Sequence, residues 1–124
     1  MTDETSQAVQ VLVVEDSADQ AGLLRQYFER AGCAVTTVVN AEEAIAAYLR
    51  SAPDLAFIDL FLPGMDGWEL IKKIKADLPH CAVAVTSVLD AADFPDAEAI
   101  LPKPFTGAQV RQVLSATVPR WRAR

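Results

Sequence analysis

Asp59 closes the apolar run Leu55-Ala56-Phe57-Ile58 and opens the turn Leu60-Phe61-Leu62-Pro63-Gly64-Met65-Asp66-Gly67. A buried strand that ends on a carboxylate and runs straight into a Pro/Gly turn sets that carboxylate at the C-terminal edge of a sheet. Ligands gather at that edge in open α/β folds. Glu15 and Asp16 close a second apolar run, Val11-Leu12-Val13-Val14. Acids converging on one edge repel one another unless a hard cation or a reaction uses them. Thr86-Ser87 ends a further run, and Lys103 follows another in Leu101-Pro102-Lys103-Pro104-Phe105. Carboxylates, a hydroxyl and an ammonium on one rim suit transfer of a phosphoryl group to a carboxylate, which depends mostly on positioning and charge neutralisation. Mg2+ takes hard oxygens and keeps several waters, so Asp16 and Asp59, with Glu15 through a water, suffice to hold it. Lys103 and the Thr86 hydroxyl can then take the phosphoryl oxygens left over.

The elements that must position these groups are legible as alternating periods. Strands are expected at Val9–Val14, Ala34–Val39, Leu55–Ile58, Ala82–Val85 and Ala99–Leu101. They are almost wholly apolar, as strands covered by helices on both faces are. Between them lie amphipathic stretches. Asp16 or Ser17 can cap the first helix. Asn40 with Glu43 has capping-box spacing, and Ala44, Ile45, Tyr48 and Leu49 form the expected inward stripe. After Asp66-Gly67, Leu70, Ile71 and Ile74 point inward and Lys72, Lys73 and Lys75 mostly outward. Thr106 can cap the last helix, with Val110, Val113, Leu114 and Thr117 on one face, and Pro119 stops it. The pattern predicts an α/β fold, a flavodoxin-like (βα)5 doubly wound five-stranded parallel sheet in the order 2-1-3-4-5. In that order the first and third strands flank the switch point, which puts Glu15, Asp16 and Asp59 together.

Composition narrows the classes. A chain of 124 residues, 52% of them hydrophobic, is one domain with a full core. The net charge of −6 argues against nucleic acid as the main partner. Residues 1–7 are acidic and polar, unlike a signal peptide, and are expected to be disordered. No run is long enough to span a membrane, so the expectation is a cytoplasmic protein without a membrane partner. Arg120, Arg122 and Arg124 concentrate positive charge in residues 119–124, which read as a short, solvated basic tail. Cys33 and Cys81, each at the start of a strand, read as small buried hydrophobes, and no spacing suits zinc. His80 reads as a turn residue.

The ordered set of motifs resembles the receiver domain of two-component response regulators, over about residues 8–118. The resemblance rests on the acidic pair after the first strand, Asp59 with the turn through Gly67, Thr86-Ser87 and Lys103-Pro104-Phe105. It implies that Asp59 is the phospho-acceptor and that Glu15, Asp16, Asp59 and the backbone carbonyl of Phe61 hold Mg2+. Thr86 would be the switch hydroxyl and Lys103 the phosphoryl-binding cation, with a cis Lys103–Pro104 bond. The implied partners are a sensor histidine kinase or a histidine phosphotransfer protein upstream and a target protein downstream.

Some positions depart from the family pattern. Ile100 stands where an aromatic residue usually takes part in phosphate-dependent signalling. The interval from Thr86 to Lys103 is about one helical turn shorter than usual and contains Pro95, so the fourth helix is expected to be short or irregular. These changes fall on the face that relatives use to dimerise, so a monomer is expected. Phe61 and Val88, two residues past the acceptor and the switch threonine, form an apolar pair that hinders water, which predicts slow autodephosphorylation. Few residues follow the last helix, which reads as a stand-alone receiver with no attached effector.

Three rival readings compete. A degenerate receiver would be a phosphorylation-independent interaction module. A flavodoxin-type carrier needs a hydroxyl- and glycine-rich phosphate loop, where this chain has Glu15-Asp16-Ser17. A dehalogenase-like phosphatase wants a second aspartate two residues beyond the nucleophile, where Phe61 stands.

Overall fold

A computed structural model describes residues 8–60, 67–87, 99–102 and 105–121. Five parallel strands, β1 (Gln10–Val14), β2 (Ala34–Val38), β3 (Leu55–Asp59), β4 (Ala82–Ser87) and β5 (Ala99–Pro102), form one sheet in the order β2-β1-β3-β4-β5. The described helices are α1 (Ala18–Arg30), α2 (Ala41–Arg50), α3 (Gly67–Asp77) and α4 (Gly107–Thr117). The irregular fourth helix expected from the short Thr86–Lys103 interval falls outside the described residues, as do residues 1–7.

Side-chain alternation along the strands divides the core into two layers. Val11, Val13, Leu55, Phe57 and Ala84 face α1 and α4, where Leu24, Phe28, Val110 and Leu114 cover them. Leu12, Val14, Ala56, Ile58, Val83 and Val85 face α2 and α3, under Ala44, Tyr48, Leu70 and Ile74. Because both faces are covered, neither set is polar, and the period-two signal of a half-exposed strand is missing from the sequence.

Helices α1, α2 and α4 start where the sequence offers a cap. The Ser17 hydroxyl accepts from the Gln20 amide, Asn40 Oδ1 accepts from the Glu43 amide at 2.8 Å, and Thr106 forms a full capping box with Gln109. Past the C-cap Ala31 of α1 the chain turns at Gly32, whose φ of 90° only glycine adopts at low cost; Cys33 N–H then reaches back to the Phe28 carbonyl. Cys33 and Cys81 are buried, as expected. Leu49, expected in the inward stripe of α2, is instead 72% exposed. At 100° per residue the buried arc runs through Ala41, Ala44, Ala47 and Tyr48, and Leu49 lies beyond its edge.

Tyr48 ties the two helices on its face together. Its hydroxyl donates to Asp77 Oδ2 at 2.5 Å, and Lys73 approaches the same oxygen at 3.4 Å. Burial, then the Asp77 carboxylate, pushes the Tyr48 phenol above its ordinary range. The Asp77 carboxyl is held below its usual range chiefly by the Tyr48 hydroxyl, with Lys73 adding to it.

Arg120 and Trp121, at the start of the segment expected to be a solvated tail, make defined contacts with the body of the domain. Arg120 Nη2 lies 2.6 Å from Asp54 Oδ2 and donates to the Ala8 carbonyl at 2.9 Å. Asp54 Oδ2 also accepts from the Gln10 amide. Trp121 packs against the α1/α4 layer, its indole N–H donates to the Ala31 carbonyl at 2.9 Å, and Arg111 lies over its ring. Residues 122–124 lie outside the described region.

Trp121→Ala, which removes ring contact and the indole hydrogen bond, should destabilise the fold by about 2 kcal/mol in urea unfolding. The stability difference between wild type and Tyr48→Phe should be greatest between about pH 4 and pH 10. It should shrink above that window as the raised phenol ionises in the folded state, and below it as the depressed Asp77 carboxylate is protonated. A pH series of melting temperatures checks both limbs.

Candidate functional site

Parallel register places the acidic groups. Val14 of β1 pairs with Ile58 of β3, so Glu15 and Asp59 leave the sheet at the same level. Asp59 in turn pairs with Thr86 of β4. Val13, Phe57 and Ala84 all face the α1/α4 layer. Two residues further on, the same alternation carries Glu15, Asp59 and Thr86 to that side of the sheet edge.

Glu15, Asp16 and Asp59 each offer a carboxylate oxygen, and these oxygens all lie within 4.8 Å of one another. Glu15 is 1% exposed and Asp59 6%, whereas Asp16 is open to solvent. One oxygen of Glu15 accepts from the Ser17 amide at 3.1 Å, at the positive end of α1. Its own amide donates to the Val38 carbonyl, so Glu15 is fixed between β2 and α1. Neighbouring ligands of an octahedral Mg2+ lie about 3 Å apart and opposite ones about 4 Å, with waters filling unused positions. Three hard oxygen donors at the observed spacing fit that ion, with one exposed arm left to close on it.

Thr86 is fully buried, and its Oγ1 has no hydrogen-bond partner among the described residues. A buried hydroxyl left unpaired costs about 1–3 kcal/mol, so packing alone does not account for it. The Thr86 carbonyl is engaged, accepting from the Leu60 amide at 3.2 Å. The structure thus brings together Glu15, Asp16, Asp59 and Thr86 from the expected set. Lys103, Phe61 and the Lys103–Pro104 bond lie outside the described residues. Phe105, two residues beyond Lys103, is buried edge-on to Phe57 in the strand that bears Asp59. Sequence reasoning missed the Ser17 amide as the anchor of Glu15; the cap position next to the acidic pair was its only signal.

Residues 11–115 match the response regulator receiver domain family. The chain belongs to that family. Among relatives, this receiver domain is 41% identical over 73 residues to the transcriptional regulatory protein ResD of Bacillus subtilis, covering 59% of this chain and 30% of that one. It is 39% identical over 80 residues to a cyclic di-GMP phosphodiesterase of Thermotoga maritima, covering 64% of this chain and 21% of the other. These curated relatives are longer proteins, of which the receiver matches only a part. Among solved structures, the signal receiver domain of a LuxO repressor protein from Vibrio parahaemolyticus superposes with a TM-score of 0.83 at 27% identity, covering 91% of this chain and 92% of that one. No helix among the described residues is long and apolar enough to cross a membrane.

Because the Thr86 hydroxyl has no partner among the described residues, Thr86→Val should leave stability unchanged or raise it by about 1 kcal/mol, measured by urea unfolding. A loss of that size instead would show that the hydroxyl already serves the resting fold.

Proposed function

We propose that this receiver accepts a phosphoryl group on Asp59 from the phosphohistidine of a sensor kinase or a histidine phosphotransfer protein. The observation that carries the reading is the meeting of Glu15, Asp16 and Asp59 at one sheet edge beside a buried, unpaired Thr86 hydroxyl. In the transfer the P–N bond to imidazole breaks and a P–O bond to an Asp59 carboxylate oxygen forms. Glu15, Asp16, Asp59 and the Phe61 carbonyl would hold Mg2+, which supplies charge neutralisation for the incoming phosphoryl oxygens. Lys103 would pair with one of those oxygens. The Thr86 hydroxyl would donate to another and so gain the partner it lacks at rest.

The unit that does this spans residues 8–118 and acts in the cytoplasm. Signalling then passes by protein–protein contact to a downstream target, with the chain as a monomer. Phe61 and Val88 limit water at the acyl phosphate, so autodephosphorylation is slow.

Intact-protein mass after incubation with Mg2+ and acetyl phosphate tests this directly. Wild type should gain a single phosphoryl adduct that persists for minutes, and Asp59→Asn should gain none. No adduct on a folded, Mg2+-treated wild type, with a histidine phosphodonor also failing, would favour the phosphorylation-independent interaction module.

A further inference from the structure

Gly67 opens α3 and lies against the backbone of the strand end that carries Asp59. A Cβ at this position would fall 2.6 Å from the Leu60 Cα, 2.8 Å from the Leu60 carbonyl oxygen and 2.9 Å from the Asp59 carbonyl oxygen. Non-bonded carbons settle at about 3.5 Å or more, so an alanine methyl needs roughly 0.9 Å of movement. All three obstacles are backbone atoms, and none can swing aside as the end of a side chain can.

Both partners are held in place. The Leu60 side chain is fully buried in the α2/α3 layer, its amide donates to the Thr86 carbonyl, and its carbonyl accepts from the Gly67 amide at 3.0 Å. On the other side Leu70, Ile71 and Ile74 seat α3 in the same layer. Conformational freedom is not the reason for glycine here, because Gly32 is the glycine with positive φ among the described residues. On helix propensity alone alanine would be favoured over glycine by about 1 kcal/mol. Steric closeness to the Asp59–Leu60 peptide is what the position requires.

We infer that Gly67 is a positioning residue: its missing side chain sets the approach of α3 to the Asp59–Leu60 peptide and so fixes the Asp59 carboxylate relative to Glu15 and Asp16. This rests on the proposed role of those carboxylates in holding Mg2+ and the phosphoryl group. Such groups must be held to within about 0.5 Å, and a displacement near 1 Å can cost about a hundredfold.

The test compares wild type, Gly67→Ala and Ile74→Val, the last a core change about two turns further along the same helix. Calorimetric titration with Mg2+ alone should show affinity weakened about tenfold or more in Gly67→Ala and within about twofold of wild type in Ile74→Val. A crystal structure of Gly67→Ala should show Asp59 displaced from Glu15 by about 0.5 Å or more. Wild-type Mg2+ affinity in Gly67→Ala, a crystal structure in which α3 alone has moved, or loss of the fold would each overturn the inference. If wild type binds no Mg2+ or accepts no phosphate, the proposed function fails, and the position of Asp59 in the crystal still decides the role of Gly67.

Discussion

Parallel pairing of β1 with β3, with Val14 opposite Ile58, is the constraint from which the rest of the site follows. Register in a parallel sheet is set by burial on both faces: a slip of one residue would exchange every side chain between the α1/α4 and α2/α3 layers. Phe57 cannot take the place of Ile58 without losing its edge contacts with Phe28 and Phe105. Once that register is fixed, Glu15 and Asp59 emerge level and on the same face, and like charges meet whether or not folding benefits. The acidic edge is therefore a consequence of core packing.

The two edges of the sheet carry different burdens. At the C-terminal edge Glu15, Asp59 and Thr86 are buried polar groups. At the opposite edge Asp54 joins the Gln10 amide, the Arg120 guanidinium and, through its backbone, the starts of β1 and β4. Trp121 closes the α1/α4 layer from that side. The fastening at that edge and the acidic cluster at the other belong to one cooperative core, so stability is shared between them.

Close backbone approach completes the arrangement. The Leu60 peptide bonds to β4 through the Thr86 carbonyl and to α3 through Gly67, so the residue after Asp59 is gripped from two sides. A carboxylate at the end of a central, fully buried strand, followed by a peptide held in this way, has little freedom beyond its own side-chain torsions.

The sequence by itself determined the strands, their order and the identity of the acidic cluster. Continuous apolar runs, caps such as Asn40 and Thr106, and Asp59 before a Pro/Gly turn are local signals whose physics acts within a few residues. It also placed Cys33 and Cys81 in the core by type alone. What only the tertiary structure decided are relations between distant segments: the Arg120–Asp54 pair, the docking of Trp121 on Ala31, the Tyr48–Asp77 tie and the contact of Gly67 with Leu60. Leu49 shows the same limit from the other side, since its apolar character favoured burial while the angle at which α2 sits left it in solvent. Periodicity reports which face of an element is apolar; which atoms that face meets depends on how the layers close around the sheet.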